Sequence, residues 1–234
     1  MTTLTVRLVL LALLLASRST ESRAQAAVPE TDVYLSRLVR TEGALAVLPP
    51  LNLTRRPGYD NQPSFDARGR VLYYTRRAPN AFLRDSVRDV QTDIWRYALD
   101  GSVHGPATVT PESEYSAQVA PDGASMTVVR VERDSSQHLW RIPLTPEGKA
   151  ERLVGRVKPV GYFAWVDSKV AMFVLGTPAT LQVMDTTTGV IDTIARDIGR
   201  GMKRVPGTDR VTFVQREGTR AFIDEVRLGS RVVT

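Results

Sequence analysis

The chain of 234 residues contains no cysteine. A disulfide, a thiolate nucleophile and a cysteine-based zinc site are therefore excluded. Histidine is almost as scarce, with only His104 and His138, and no carboxylate spacing around either suggests a zinc or copper ligand set. The sequence has no G-x-S-x-G elbow, so hydrolysis of that type would need a separate catalytic domain. It has no Walker A loop or dinucleotide fingerprint, and no cofactor is expected. Long apolar runs are missing too. The longest, Leu8 to Ala16, has nine residues. At about 1.5 Å per helical residue it falls well short of a hydrocarbon core about 30 Å thick, so no transmembrane anchor is expected. A strong excess of one charge is also absent: 31 Lys and Arg face 25 Asp and Glu, for a net charge of +6. Arg55-Arg56 and Arg76-Arg77 are the nearest approach to basic runs, and neither is interleaved with stacking aromatics. No nucleic-acid partner is expected.

What the N-terminus does contain reads as an export signal over residues 1–26. Arg7 supplies a positive start, Leu8 to Ala16 the apolar stretch, and Ala24-Gln25-Ala26 an A-x-A cleavage pattern. With no cysteine behind the apolar stretch, lipid anchoring is excluded. The mature chain is expected to start near Ala27, to comprise residues 27–234 as one domain, and to be periplasmic or secreted. A hydrophobic content of 42% suits a packed core, and about 200 residues can bury enough apolar surface without disulfide staples. The one sequon, Asn52-Leu53-Thr54, is expected to be unglycosylated in a bacterial chain.

Beyond residue 30 no long amphipathic helix is evident. Five glycines recur instead, at positions 43, 101, 148, 189 and 229, each in a short polar turn between two apolar runs. A self-similar period of this size with strands on both sides of each turn marks a β-propeller. Within a unit the expected order is a first strand, a tight turn, a strongly apolar second strand, a third strand, the recurring glycine and a fourth strand. Among the expected strands are residues 107–110 (fourth strand of the second unit), 125–131 (second strand of the third unit), 163–166 and 180–185 (first and third strands of the fourth unit) and 202–205 (first strand of the fifth unit). Asp66-Ala67-Arg68-Gly69 and Pro121-Asp122-Gly123 supply first-to-second turns, and Asp-Gly provides the positive φ such turns need. The second strands (VLYY, MTVV, VAMFV, VTFV) are apolar on both faces, as strands sandwiched between neighbouring blades should be. Trp95 and Trp140 fall at corresponding positions on third strands, which favours blade-to-blade packing over ligand stacking. Asp32-Val33-Tyr34 matches Asp93-Ile94-Trp95, so the N-terminal unit starts at its third strand.

Pro63-Ser64-Phe65-Asp66-Ala67-Arg68-Gly69-Arg70, Thr92-Asp93-Ile94-Trp95-Arg96 and Leu99-Asp100-Gly101 together resemble the TolB-type β-propeller repeat. Val119-Ala120-Pro121-Asp122-Gly123 followed by Leu139-Trp140-Arg141 is a second match. The fourth and fifth units are degenerate: Trp165-Val166-Asp167-Ser168-Lys169 lacks the Pro and Gly, and Pro206-Gly207-Thr208-Asp209 displaces them. The resemblance spans about residues 32–234 and rests on turn and packing residues. It implies an all-β propeller of four-stranded blades and a binding platform in the cell envelope. The α/β domain that precedes the propeller in that family has no room between residues 27 and 32, so the family's partner contacts are not carried over.

About five blades are represented. Four first-to-second turns stand against five recurring glycines, so the ring is expected to be incomplete at the C-terminal end, leaving an open blade edge. The expected function is non-enzymatic binding or scaffolding of an envelope protein, glycan or peptidoglycan-associated partner. The alternatives are the propeller part of a larger envelope hydrolase or sensor, and a glycan- or peptide-processing enzyme using the channel face. The expected contact surface comprises Tyr59, Asp60, Glu114, Tyr115 and Tyr162, which enter the inner strands at similar repeat positions. Glu112 and Glu114 with Asp122 nearby form the other acidic group considered, which reads as a solvated loop.

Overall fold

The computed structural model describes residues 29–79, 90–145 and 147–234. The export signal at residues 1–26 and Pro146 of the Gly148 turn lie outside them. Among the described residues there is no helix, and hence none long and apolar enough to cross a membrane.

Four antiparallel sheets follow one another along the chain, each a simple meander of four strands. The first blade holds β5 (Asp60–Phe65), β6 (Val71–Pro79), β7 (Val90–Ala98) and β8 (His104–Pro106). The second holds β9 (Ser113–Val119), β10 (Ser125–Val131), β11 (Gln137–Pro143) and β12 (Glu151–Arg152). The third comprises β13 (Val160–Val166), β14 (Lys169–Val174), β15 (Thr180–Asp185) and β16 (Ile191–Arg196). The fourth comprises β17 (Ile198–Arg204), β18 (Arg210–Glu217), β19 (Arg220–Arg227) and β20 (Val232–Val233). The blades are arranged as a propeller around a cavity lined by their first strands.

Ahead of them runs a partial unit. β1 (Tyr34–Leu35) pairs with β4 (Leu51–Asn52), and β2 (Leu38–Thr41) pairs with β3 (Ala44–Val47) across the Gly43 turn. This is the third-and-fourth-strand unit expected from the sequence. It docks on the first blade through a parallel bridge between Thr31 and Tyr59 and through Val33, which packs against Leu72 and Tyr74.

Side-chain alternation along the second strands explains the stacking of blades. Leu72 and Tyr74 face the partial unit, while Tyr73 between them faces the second blade with Ile94, Met126 and Val128. On β14, Val170, Met172 and Val174 face the second blade, whereas Ala171 and Phe173 face the fourth, meeting Val211 and Phe213. The hydrophobic core is thus a series of layers between neighbouring sheets. Each fully buried side chain of this size contributes about 1.5–3 kcal/mol, against about 0–1 kcal/mol for a surface ion pair. Burial between blades, rather than exposed pairs such as Arg231–Asp192, holds the propeller together.

The turns use the residues their backbones require. Gly69, Gly123 and Gly207 all have positive φ in first-to-second turns. In the degenerate third blade Asp167 takes φ 50° in place of glycine, and the two-residue turn still closes. The fourth strand of the first blade departs furthest from expectation: it is His104–Pro106, not residues 107–110. Ala107 and Thr108 instead donate their backbone N–H groups to the carbonyl of Ile94, ending the ladder.

Candidate functional site: the channel and its mouth

The first strand of every blade carries a β-bulge at a corresponding place. The pairing of β5 with β6 slips between Asn61 and Ser64, and that of β9 with β10 between Tyr115 and Gln118. β13 slips between Val160 and Tyr162, and β17 between Gly199 and Met202. Gln62 and Ser116 sit in these bulges at φ 54° and 55°, and Gly201 at φ 105°. Left-handed backbone at a glutamine and a serine is costly and is retained where surrounding structure fixes it. Here a cross-blade bond does so: Gln62 Oε1 accepts from the Ser116 N–H at 3.0 Å and from the Thr75 hydroxyl at 3.0 Å. Further round, Gln118 Nε2 donates to the Phe163 carbonyl at 2.7 Å, and Trp165 Nε1 donates to Thr127 Oγ1 at 3.1 Å.

The bulged segments enclose a cavity of about 490 Å³ walled by residues 62–64, 116–118, 162–163 and 200–203. A smaller cavity of about 180 Å³ shares Gln62, Tyr162 and Arg200 with it and adds Tyr115 and Gln137. Two cations, Arg200 and Lys203, line the larger cavity, and neither cavity wall holds an Asp or Glu. Both cations are exposed, and neither makes an ion pair among the described residues. Ser116, only 8% exposed, has a buried Oγ with no hydrogen-bond partner.

Tyr59, Tyr115 and Tyr162 approach one another although they lie on three different blades. Burial pushes the Tyr59 hydroxyl above its ordinary range, and the nearby Tyr115 and Tyr162 hydroxyls push it further the same way. All three rings are half-buried, leaving one face or edge accessible.

The two acids expected on this surface lie elsewhere. Strand alternation turns Asp60 and Glu114 into the blades, where they are 1% and 0% exposed. Asp60 accepts from Arg56 at 2.8 Å, and Glu114 from Arg130 at 2.6 Å. Burial pushes the Glu114 carboxyl above the usual range, against the opposing pull of Thr108 and Arg130. Arg130 stacks 4.3 Å above the Trp140 ring, and Arg76, opposite Asp60 in register, lies 3.7 Å above Trp95. This repeated acid, arginine and tryptophan arrangement is structural and gives both tryptophans the packing role their repeat position suggested. The other acidic group also separates. Asp122, in the β9–β10 turn, binds Arg141, far along the strand from Glu114.

His104 Nε2 meets the Tyr74 hydroxyl at 2.9 Å, and His138 is buried on β11 opposite Arg130. Among the described residues no three His, Asp or Glu side chains come together as a metal-binding group. Arg56 and Arg76, members of the two basic pairs, serve Asp60 and Trp95.

Arg200, Lys203 and Ser116 were not singled out by sequence pattern. The available signal was the glycine spacing at Gly161, Gly199 and Gly201 in the degenerate blades. A Cβ on Gly199 would lie 2.8 Å from Val214 Cγ1, so this bulge admits no side chain without rearrangement.

The chain matches no protein-family model and no curated protein. Its fold is shared with solved structures at low identity. TolB from Acinetobacter baumannii superposes with a TM-score of 0.61 at 17% identity, over 86% of this chain and 50% of that one. A protein described as TolB from Agrobacterium tumefaciens gives 0.63 at 15% identity, over 79% and 64%. A puromycin-hydrolyzing peptidase from Mycobacterium tuberculosis gives 0.59 at 12% identity, over 79% and 30%. The chain therefore spans one half to just under two thirds of the length of the two TolB structures.

Proposed function

We propose that this chain, a β-propeller of the kind found in TolB, is an exported, non-enzymatic binding module that holds a protein or peptidoglycan-associated partner over one mouth of its channel. One observation carries the reading: three half-buried tyrosines from separate blades lie near one another, and two of them, Tyr115 and Tyr162, line cavities whose cations have no acidic partners. Tyrosine offers large, stiff contact area with a polar tip, which suits a surface that is wet when free and dry when bound. The apolar stretch and A-x-A pattern in residues 1–26 support export to the periplasm or beyond. No partner of a TolB protein is transferred, because the likeness extends only to the fold.

The test is partner capture. The exported chain, tagged and cross-linked in the envelope, is expected to retain a defined partner in stoichiometric amount. Replacing Tyr59, Tyr115 and Tyr162 with Ala should reduce capture at least tenfold without unfolding the propeller. Unchanged capture would remove the channel mouth from the reading.

A second reading has its own support. The peptidase from Mycobacterium tuberculosis combines the same fold with a chain of which this one covers only 30%. In that reading the propeller is the accessory part of an envelope hydrolase. It predicts peptide turnover in the purified complex, abolished by substitution of a nucleophile outside residues 29–234.

A further inference from the structure

The channel wall is chemically lopsided. β17 brings Arg200 and Lys203 to one side, while β9 presents the buried, unpartnered Ser116 hydroxyl. The remaining wall is largely apolar, through Ala117, Phe163 and Met202. Two cations without a carboxylate in the cavity wall favour a small anion. An arginine fork matches the planar, two-oxygen geometry of a carboxylate, and a lysine adds a point charge. An apolar lining suits an anion carried on an uncharged stem rather than a multiply charged phosphate. A space of about 490 Å³ admits the end of a peptide or a few side chains, not a folded domain.

We infer that the channel is a carboxylate-recognition site, in which Arg200 and Lys203 receive the carboxylate of a peptide segment entering past Tyr115 and Tyr162. This deepens the binding role proposed above and rests on it. It names the ligand chemistry: a polypeptide chain end, or an Asp or Glu side chain on an otherwise neutral segment. The bulges serve this role directly. They break the ladder at one level around the channel, and in β17 the slip between Gly199 and Met202 holds Arg200 in the cavity wall.

The exported chain is titrated calorimetrically with three synthetic probes. These are acetyl-Tyr-Ala-Ala-Ala with a free C-terminus, the same peptide amidated, and amidated acetyl-Tyr-Ala-Glu-Ala. At least one carboxylate-bearing peptide should bind tenfold or more tighter than the neutral amide. A preference for the free C-terminus identifies a chain end as the source, and a preference for the glutamate peptide identifies an internal acid. Binding should weaken between 50 and 500 mM salt, since exposed charges contribute to it. The double substitution Arg200→Gln and Lys203→Gln, at exposed positions with no ion pairs to lose, should abolish the preference while leaving the melting temperature unchanged. Equal binding of the amide, or an undiminished preference in the double variant, overturns the assignment. Partner capture separates this from the broader role. Capture lost in the tyrosine variant but kept in the Arg200 and Lys203 variant leaves a binding module and removes the carboxylate site.

Discussion

His138 is a single residue whose protonation the fold opposes. Burial is the main cause and the nearby Arg152 guanidinium adds to it, so its pKa lies below the ordinary value of about 6.5. The sign follows from linkage: the unfolded chain binds the proton more readily, so acidification below about pH 6.5 draws the equilibrium toward unfolding. Asp93 and Glu114 act in the opposite sense, because burial raises their pKa values and favours the protonated folded form. The comparison must therefore be made by variant. His138→Gln should flatten the fall in melting temperature between pH 7 and pH 5 relative to the parent chain. Parallel profiles would mean that His138 takes up its proton without cost. Asp185, at the surface, is shifted the other way from Asp93 and Glu114: Lys169 and Thr187 hold its carboxyl well below the usual range. Its contribution persists above the ordinary aspartate value and fades as the pH drops below it.

At the scale of an element, the β13–β14 turn tests the repeat itself. Asp167 takes a left-handed conformation in a two-residue turn, whereas the other three blades use four-residue turns in which a glycine takes it. Left-handed backbone costs a non-glycine residue about 1–2 kcal/mol, and glycine returns part of that gain through its greater freedom in the unfolded chain. Asp167→Gly should therefore raise stability by up to about 1 kcal/mol in urea unfolding, even after loss of the exposed contact with Arg204. A loss of stability would show that the aspartate carboxylate holds the turn. This element also shows what sequence could and could not reveal. β10 and β15 coincide with the expected strands to the residue, because alternating apolar character and Asp-Gly turns report local backbone demands. The first strands are longer than expected, with β13 starting at Val160 and β17 at Ile198. Their early residues precede the bulges and lack a regular alternation to read. The tyrosines were legible as a recurring set because aromatic residues repeat near strand entries. The facing of Asp60 and Glu114 was not, since one step along a strand exchanges channel for blade interior. Arg200 and Lys203 were hidden among 31 basic residues, and only the ring geometry separates them from a solvated surface.

For the whole molecule, the four core layers each join one sheet to the next, and no layer spans three. Stability in such an array is a sum of unit and neighbour contributions. Backbone amides of β10 and β14, covered on both faces, should exchange slowest with solvent. Those of β2, β3 and β19 should exchange faster. Leu45, Val47 and Ile223 there are 60%, 67% and 80% exposed, so water reaches one face of these strands. Uniform protection across all blades would show that the propeller opens as one unit.

Because every sheet is a local meander, the same layering has a mechanical side. Tension applied to the two ends of the chain meets the blades in series. Each can peel strand from strand without waiting for a distant partner, so extension should proceed in steps rather than in one rupture. A blade of about 40 residues would release roughly 130–145 Å of contour as it gives way. Under load the propeller would lose its outermost blade, lengthen, and keep the interfaces between the remaining blades intact.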